Sequence, residues 1–219
     1  QHEYVTVTGV HGVMECQRDE QLKATFNEAG MITPDGMPMV WLAQKAGFDS
    51  VSRVYGPTLM LKVSERSVGQ GYRHFLYGGN EGVAKELKAE LEQRFPGIQI
   101  VGTYCPPFRP LTDAEDEEVI SMINESEADI VWVGLSTPKQ ERWMAAHKNR
   151  INANVMLGVG AAFDFHTGKV KQAPSWMQNH GLEWLFRLIQ EPRRLWKRYL
   201  VNNSMFVCSL LMNRLGFGT

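Results

Sequence analysis

The chain has 219 residues, of which 43% are hydrophobic, and this is enough to bury a full core as one domain or as one domain with an appendage. Its net charge of −1 excludes the strong positive field that is typical of nucleic-acid-binding proteins. The three cysteines are far apart and lack C-x-x-C spacing, so we expect a reducing compartment, no disulfide framework and no zinc site. We also expect no signal peptide and no membrane-spanning helix, because no apolar run approaches the ~20 residues that a bilayer requires.

Short β-branched or apolar runs alternate with helical patterns along the chain. The predicted strands are residues 4–8, 31–33, 72–77, 98–103, 130–133 and 155–159. The predicted helices are residues 13–28, 37–46, 81–94 and 113–126, with one that ends near Val68 and one that starts at Pro138. This alternation predicts an α/β fold with a doubly wound, Rossmann-like, mostly parallel sheet that binds ligands at the carboxyl ends of its strands. We place this domain at residues 1–174 and a helical C-terminal appendage, basic and aromatic in composition, at residues 175–219.

The segment Ile130–Arg142 passes from a strand into a helix through a short polar turn. Ile130–Val133 is apolar throughout, which is typical of a strand buried on both faces. Pro138 stands where a first helical residue is expected, with Ser136 or Thr137 as its N-cap. A helix N-terminus at the carboxyl end of a strand favours an anion such as phosphate, although a surface helix with an ordinary cap fits the same pattern. The candidate binding residues in its first turn are Lys139, Gln140 and Glu141.

Glycine-rich turns follow other predicted strands and allow a ligand to approach the backbone. The turn at residues 78–82 is not the G-x-G-x-x-G dinucleotide fingerprint, and its asparagine also fits a helix cap. The turn at residues 158–165 carries an aspartate that either hydrogen-bonds a sugar hydroxyl or forms an Asx turn. In the first turn, at residues 9–12, His11 is either a ligand contact or, as is more common for a lone histidine, a structural residue. The candidate ligand contacts of the later turns are Gly78, Gly79, Asn80, Gly160 and Asp164.

Asp35 follows the second predicted strand, in the sequence Pro34-Asp35-Gly36. As a carboxylate at the carboxyl end of a strand, it is placed to act as a general base. However, Asp-Gly between apolar segments is also a common turn signal, and the aspartate would then only shape the turn or cap the next helix. Spacing alone favours this structural interpretation.

The composition changes after Pro174, where aromatic and basic residues become frequent. Tryptophan, tyrosine and arginine beside apolar residues, together with the largely apolar stretch Ser204–Gly218, are typical of helices that lie in a membrane interface with anionic lipid. Arginines also suit a pyrophosphate, because a guanidinium donates two parallel hydrogen bonds. The alternatives are a helical cap over the sheet and a contact between copies in a homo-oligomer. The residues concerned are Trp176, Trp184, Phe186, Trp196, Tyr199, Phe206, Arg187, Arg193, Arg194, Lys197, Arg198 and Arg214.

Five stretches together resemble the WecG/TagA/CpsF family, glycosyltransferase family 26, over nearly the whole chain. They are TPDGMPMVWLAQ (33–44), RVYGPTLM (53–60), VGLSTPKQERW (133–143), GVGAAFDFHTGKVKQAP (158–174) and GLEWLFRLIQEPRRLWKR (181–198). The resemblance implies a bacterial, inverting transferase that moves a sugar from a UDP-sugar to a polyprenyl-diphosphate-linked saccharide in the synthesis of exopolysaccharide, another surface polysaccharide or a cell-wall polymer. It also implies an enzyme that is cytoplasmic, peripheral on the inner face of the plasma membrane, and independent of metals and cofactors.

The resemblance further implies roles for individual residues. Asp35 corresponds to the aspartate proposed as the base, and Gln140 to a glutamine expected near the donor or acceptor sugar. The family's T-P-N after the first strand is replaced here by Thr6-Val7-Thr8-Gly9, and Thr8 is our choice for the family's threonine. The basic residues expected to hold the lipid diphosphate are Arg187, Arg194, Lys197 and Arg198.

The residue types are consistent with this chemistry. An inverting transfer needs one carboxylate to deprotonate the acceptor hydroxyl, and it needs no acid because UDP leaves as a phosphate. The chain contains no D-x-D sequence, so we expect helix N-termini to stabilise the leaving diphosphate in place of a bound metal. N-acetylmannosamine, its uronic acid and glucose all remain open as the donor sugar. Two other classes also remain open: an NAD-dependent oxidoreductase on a similar fold, and a non-catalytic, membrane-peripheral module that binds a nucleotide sugar.

Overall fold

The computed structural model describes residues 2–214, with side chains as far as residue 212, and it divides into two compact units. The first, here called the sheet unit, contains residues 2–7, Ala24–Thr33 and Val54–Lys171. The second, here called the helical unit, contains Thr8–Lys23, Pro34–Arg53 and the described residues from Gln172 onward. The tail therefore groups with two segments that follow strand ends. The division of the chain at residues 174 and 175 stays a prediction.

Six strands form one sheet. They are β1 (Glu3–Thr8), β2 (Met31–Pro34), β3 (Arg73–Gly78), β4 (Gln99–Tyr104), β5 (Ile130–Gly134) and β6 (Val155–Gly158). Their order across the sheet is β2-β1-β6-β5-β3-β4, and the pairs β1–β6, β6–β5, β5–β3 and β3–β4 are parallel. With helices packed on the sheet, this confirms the predicted α/β, Rossmann-like, mostly parallel fold.

Twelve α-helices and one π-helical segment are present among the described residues. The helices are α1 (Val10–Cys16), α2 (Glu20–Asn27), α3 (Met37–Lys45), α4 (Gly56–Gln70), α5 (Val83–Arg94), α6 (Asp113–Glu125), α7 (Lys139–His147), α8 (Ala162–His166), α9 (Ser175–Asn179), α10 (Glu183–Gln190), α11 (Pro192–Trp196) and α12 (Asn202–Arg214). The π-helical segment, Lys197–Val201, lies between α11 and α12.

The central strands are buried on both faces, which explains why their sequences are apolar without alternation. Successive side chains of a strand point to opposite faces, so each strand contributes to two clusters. The first cluster includes Leu76, Trp132 and Leu157 with the α5 residues Val83, Leu87 and Leu91. The second includes Phe75, Val131, Val133 and Met156 with Val119, Ile120 and Ile123 of α6 and Met144 of α7. These two layers hold the strand ends that carry the candidate residues of the sheet unit.

The prediction of a single helix over residues 13–28 is wrong. The structure has α1 and α2 there, separated at residues 17–19. Asp19 begins the second helix, because its Oδ1 accepts the backbone N–H of Leu22 at 2.9 Å, as a capping aspartate does. The predicted glycine turn is also wrong in its second half, because α1 starts at Val10 and includes His11 and Gly12.

Within residues 2–214, no helix combines the length and the apolar character that crossing a bilayer requires. Residues 215–219 and the side chain of Arg214 lie outside the described part of the chain, and so does that share of the predicted apolar stretch.

Candidate active site

The turn after β5 leads into α7, but the helix is not capped in the way the sequence predicts. Pro138 is at the N-cap position and no side chain caps the helix, so the predicted capping by Ser136 or Thr137 is wrong. The Thr137 hydroxyl instead donates to Oε1 of Glu141 at 2.9 Å. The carbonyl of Ser136 accepts the backbone N–H groups of Lys139 and Gln140 at 2.8 and 3.2 Å. Two of the N–H groups that an anion would need at this N-terminus are therefore already bonded within the turn.

Gln140 is buried and joins the start of α7 to the turn after β6. Only 2% of the residue is exposed, and its Oε1 accepts the backbone N–H of Gly160 at 3.0 Å. Its Nε2 donates to Oε1 of the fully buried Glu141 at 2.9 Å. The structure thus brings together three residues that the sequence proposes as binding residues. A buried carboxylate needs hydrogen-bond donors, and Gln140 and Thr137 both donate to Oε1 of Glu141. Lys139, beside them in the sequence, is exposed.

Gly78 and Gly79 are required by the packing of the strand ends. A Cβ on Gly78, whose φ is 137°, would lie 2.6 Å from the carbonyl group of Gly134, its neighbour in the sheet. A Cβ on Gly79 would lie 2.9 Å from the side chain of Val83. Asn80 is exposed and is not the cap of α5, because Gly82 occupies that position without a side-chain hydrogen bond. Close packing explains both glycines, and a ligand contact at this turn stays a prediction.

Asp164 lies within α8, in the first turn of the helix. The alternative role in an Asx turn is therefore wrong, because the residue is helical. Its side chain is partly exposed, and its carbonyl accepts the N–H of Val170 at 3.1 Å. A contact with a sugar hydroxyl stays a prediction for this residue.

Thr8 and Asp35 are in direct backbone contact at the ends of β1 and β2. The carbonyl of Thr8 accepts the backbone N–H of Asp35 at 2.8 Å. A Cβ on Gly9 would lie 2.8 Å from the carbonyl oxygen of Asp35, so only glycine permits this approach without a shift. The structure therefore brings together the predicted base and the threonine chosen from the family pattern. Asp35 does not cap α3, since Gly36 is the N-cap and no side chain bonds to the helix start.

The Asp35 side chain belongs to a cluster of charged groups in the helical unit. Nη2 of Arg53 donates to Oδ1 of Asp35 at 3.2 Å, and the same Nη2 contacts Oε2 of Glu183 at the start of α10. The side chains of Arg53 and Glu183 are each 15% exposed, whereas that of Asp35 is 34% exposed. Asp35 is therefore the member of the cluster that is most open to solvent.

The surroundings of the Asp35 carboxylate raise its proton affinity. Crowding of the charged group by protein atoms raises the pKa of Asp35 from 3.8 to about 6, and the negative charge of Glu183 acts in the same direction. The charges of Arg53 and Arg198 and the hydrogen bond from Arg53 act in the opposite direction. Burial is the larger effect, so this carboxylate is a stronger base than an ordinary aspartate.

The basic residues of the tail form a second feature of the helical unit. Arg187 is largely buried and lies 3.5 Å from Glu191, which also accepts a hydrogen bond from Arg194 at 2.6 Å. Nε of Arg198 is buried and has no hydrogen-bond partner among the described residues. Burial lowers the pKa of Arg198, and the charges of Arg187 and Arg194 contribute to this, so the three guanidinium groups are electrostatically coupled. These three guanidinium groups outnumber the nearby carboxylates of Glu191 and Asp35, and the excess of positive charge favours an anion.

Lys197 differs from these arginines. It is exposed, and its Nζ lies 5.5 Å from the centre of the Trp196 ring. Both Lys197 and Arg198 lie in the π-helical segment, a geometry that is rare and often found at functional sites. The assignment of these four basic residues to a lipid diphosphate stays a prediction.

A shallow groove of about 670 Å³ lies in the sheet unit, beside β4 and α6, and none of the predicted site residues lines it. Glu118 and Glu125 are part of its lining, and their charges would repel a diphosphate. Among residues 2–212, no three His, Cys, Asp or Glu side chains are grouped so that they could hold a metal ion.

Sequence reasoning missed two members of the charged cluster, Arg53 and Glu183. Arg53 stands at the start of one of the family-like stretches, which is the only signal that could have singled it out. Glu183 stands among the arginines of the tail, where a carboxylate is easily taken for a partner of a nearby tail arginine. Its contact with Arg53 joins residues 130 positions apart, and no local pattern encodes such a pair.

The parallel sheet and its polar strand ends place the protein in the class of α/β proteins that bind ligands at the carboxyl edge of the sheet. The Glycosyl transferase WecG/TagA/CpsF family matches residues 1–218. The chain belongs to this family and is a glycosyltransferase, which confirms the resemblance found in the sequence. Membership also decides for this activity over the oxidoreductase and the non-catalytic binding module.

Two proteins from Bacillus are similar to this chain and have the same name. Both are called N-acetylglucosaminyldiphosphoundecaprenol N-acetyl-beta-D-mannosaminyltransferase. The protein of Bacillus spizizenii is 31% identical over 186 residues, which are 85% of this chain and 70% of the relative. That of Bacillus subtilis is 30% identical over 184 residues, which are 84% of this chain and 69% of the relative.

Proposed function

We propose that this glycosyltransferase moves a sugar from a UDP-sugar to a saccharide linked to a polyprenyl diphosphate, in the synthesis of a surface polysaccharide or wall polymer. The names of the Bacillus relatives support the acceptor class, because both contain an N-acetylglucosaminyl-diphosphoundecaprenol. They also favour N-acetylmannosamine as the transferred sugar over its uronic acid or glucose. The transfer inverts the anomeric configuration and requires neither a metal ion nor a cofactor.

Asp35 is the general base of the proposed reaction, and its environment is the observation that carries the proposal. The acceptor hydroxyl attacks the anomeric carbon on the face opposite the diphosphate, and its proton passes to the Asp35 carboxylate. The bond between the anomeric carbon and the diphosphate oxygen breaks, and UDP leaves with the electron pair. A carboxylate with a pKa of about 6 is mostly ionised at neutral pH and is a better proton acceptor than one with a pKa near 4.

The tail arginines hold the diphosphate of the acceptor. Arg187, Arg194 and Arg198 lie in the same unit as Asp35, and the charge of Arg198 acts on the Asp35 carboxylate. Guanidinium groups bind phosphate oxygens through paired, charge-assisted hydrogen bonds. A bound diphosphate would also offset the mutual repulsion of these cations. The contact between Gln140 and the donor or acceptor sugar, which the resemblance implies, stays a prediction.

The helical unit also supplies the surface that rests on the inner face of the cytoplasmic membrane. Its exposed large apolar side chains are Trp41, Phe48, Trp176, Leu185, Ile189, Trp196, Leu200, Val201, Met205, Val207, Leu211 and Met212. Exposed apolar patches of this extent commonly mark an interaction site, and nearby basic residues favour anionic lipid. A homo-oligomer that covers the same residues remains an alternative.

A donor panel tests the proposal. The purified chain is incubated with a synthetic lipid-diphosphate-linked N-acetylglucosamine and, in turn, with UDP-linked N-acetylmannosamine, its uronic acid and glucose, with and without EDTA. We expect transfer of N-acetylmannosamine that is insensitive to EDTA. With the α-linked UDP-sugar as donor, inversion gives a β-linkage in the product, which NMR identifies. Transfer of none of the three sugars would contradict the proposed substrates, loss of activity in EDTA would contradict metal independence, and an α-linkage would contradict inversion.

A further inference from the structure

The second carboxylate of the charged cluster, Glu183, has no role in the function proposed above. It is the first residue of α10, and the positive end of the helix dipole stabilises its charge there. Its side chain is 15% exposed and contacts the same Nη2 of Arg53 that donates to Asp35. The Arg53 guanidinium therefore contacts two carboxylates, of which only Asp35 follows the end of a strand.

The sharing of the Arg53 guanidinium between two carboxylates affects how readily Asp35 accepts a proton. A carboxylate paired with an arginine of its own is held ionised, and its lone pairs are occupied, so it accepts a proton poorly. Here one cation faces two carboxylates, and the charge of Glu183 counters part of the effect of Arg53 on Asp35. The charge of Arg198 also acts on Asp35, in the same direction as that of Arg53.

We propose that Glu183 is a positioning residue for Asp35: by holding Arg53 and balancing its charge, it keeps the Asp35 carboxylate in place and able to accept a proton. This inference rests on the proposed role of Asp35 as the base. Glu183, at the start of α10, thus supports the proton transfer, whereas the arginines of the same tail bind the diphosphate of the acceptor.

Two variants of the full chain test the inference, because we expect them to change the pKa of Asp35 in opposite directions. Glu183→Gln removes the negative charge that raises the pKa of Asp35 and that shares Nη2 of Arg53 with it, so we expect the pKa of Asp35 to fall. Arg53→Gln removes the nearest cation, so we expect the pKa to rise. The ¹³C chemical shift of the Asp35 carboxyl carbon, assigned by comparison with Asp35→Asn, is followed against pH in each protein. This reading needs no substrate.

The pH dependence of kcat is a second measurement, and replacing a residue with a purely structural role would not shift it. In Glu183→Gln the acidic limb of the profile moves to lower pH, and kcat on the plateau falls about tenfold because a weaker base accepts the proton less readily. The KM for the lipid acceptor stays within about twofold, since the arginines that bind the diphosphate are unchanged. A carboxyl titration and acidic limb that stay at the wild-type pH in Glu183→Gln would overturn the inference.

Glu20→Gln is the matched control. Glu20 is the first residue of α2, which has eight residues like α10, and its carboxylate is exposed and pairs with Lys23. The same change there leaves the Asp35 titration and kcat unaltered, whereas an equal shift in both variants would overturn the inference. If Glu183→Gln does not fold, Arg53→Gln still decides, because an unmoved Asp35 titration contradicts the sharing of Arg53. If the wild type transfers no sugar, the proposed function fails, and the carboxyl titration still tests the cluster.

Discussion

Two polar clusters at strand ends differ in how deeply their side chains are buried. In the sheet unit, Gln140 and Glu141 are almost fully buried, and hydrogen bonds from Thr137 and Gly160 engage their side chains. In the helical unit, Asp35 keeps a third of its side chain exposed and has a raised pKa. Perturbed titratable groups are common at catalytic sites, whereas a deeply buried, hydrogen-bonded network is more typical of structural support. The difference favours Asp35 for chemistry and Gln140 for holding the loops.

The strongest test of this difference is the replacement Asp35→Asn. If Asp35 is the base, transfer falls at least ~100-fold while the protein stays folded. The direction of the change in stability can also be predicted. Because the pKa of Asp35 is raised from 3.8 to about 6 on folding, its ionisation costs stability as the pH rises from about 4 to 6, and this cost persists above that range. Asp35→Asn is therefore at least as stable as the wild type at pH 7. Near-wild-type transfer would remove the proposed base.

A second test compares the partly buried Arg198 of the tail with its exposed neighbour Lys197. Arg198→Gln removes a coupled cation of the proposed diphosphate site, and we expect kcat/KM for the lipid acceptor to fall about tenfold to a hundredfold, since a charge-assisted hydrogen bond contributes about 1.5–3 kcal/mol. Lys197→Gln, which changes an exposed residue, has the smaller effect. Initial rates at varied acceptor and saturating donor measure both. Equal losses in the two variants would contradict the distinction.

For the deeply buried cluster of Gln140 and Glu141 we expect the main effect on stability. Gln140→Ala leaves the N–H of Gly160 and the carboxylate of Glu141 each without one hydrogen bond, so the free energy of unfolding falls by about 1–3 kcal/mol. Lys139→Ala, at the exposed neighbouring position, changes it by no more than about 0.5 kcal/mol. Urea denaturation measures both values. Unchanged stability with a large loss of transfer in Gln140→Ala would make Gln140 a substrate contact in place of a support.

The sequence predicts the sheet better than the clusters, for a physical reason. A strand buried on both faces must be apolar throughout, so runs such as Ile130–Val133 are visible without any knowledge of their neighbours. The break between α1 and α2 was also readable in principle, since Asp19 is a good N-cap residue. The pairing of Arg53 with Glu183 was not, because it depends on the fold bringing two distant segments together. Thr137 likewise has a capping hydroxyl whose actual partner, Glu141, only the structure reveals.

The smallest expected effect concerns the exposed large apolar residues, which are more numerous in the described part of the helical unit than in the sheet unit. Leu185 and Ile189 lie four residues apart on α10 and are both exposed, so they present an apolar face that a membrane interface can cover. Burying the equivalent of one methylene of each side chain contributes about 0.8 kcal/mol, so changing both to Gln weakens partitioning to anionic liposomes roughly fifteenfold. Met122→Gln, an exposed apolar residue of the sheet unit, is the matched control and leaves partitioning unchanged. Unaltered partitioning of the double variant, with a change of sedimentation coefficient in its place, would assign this face to a contact between copies of the chain.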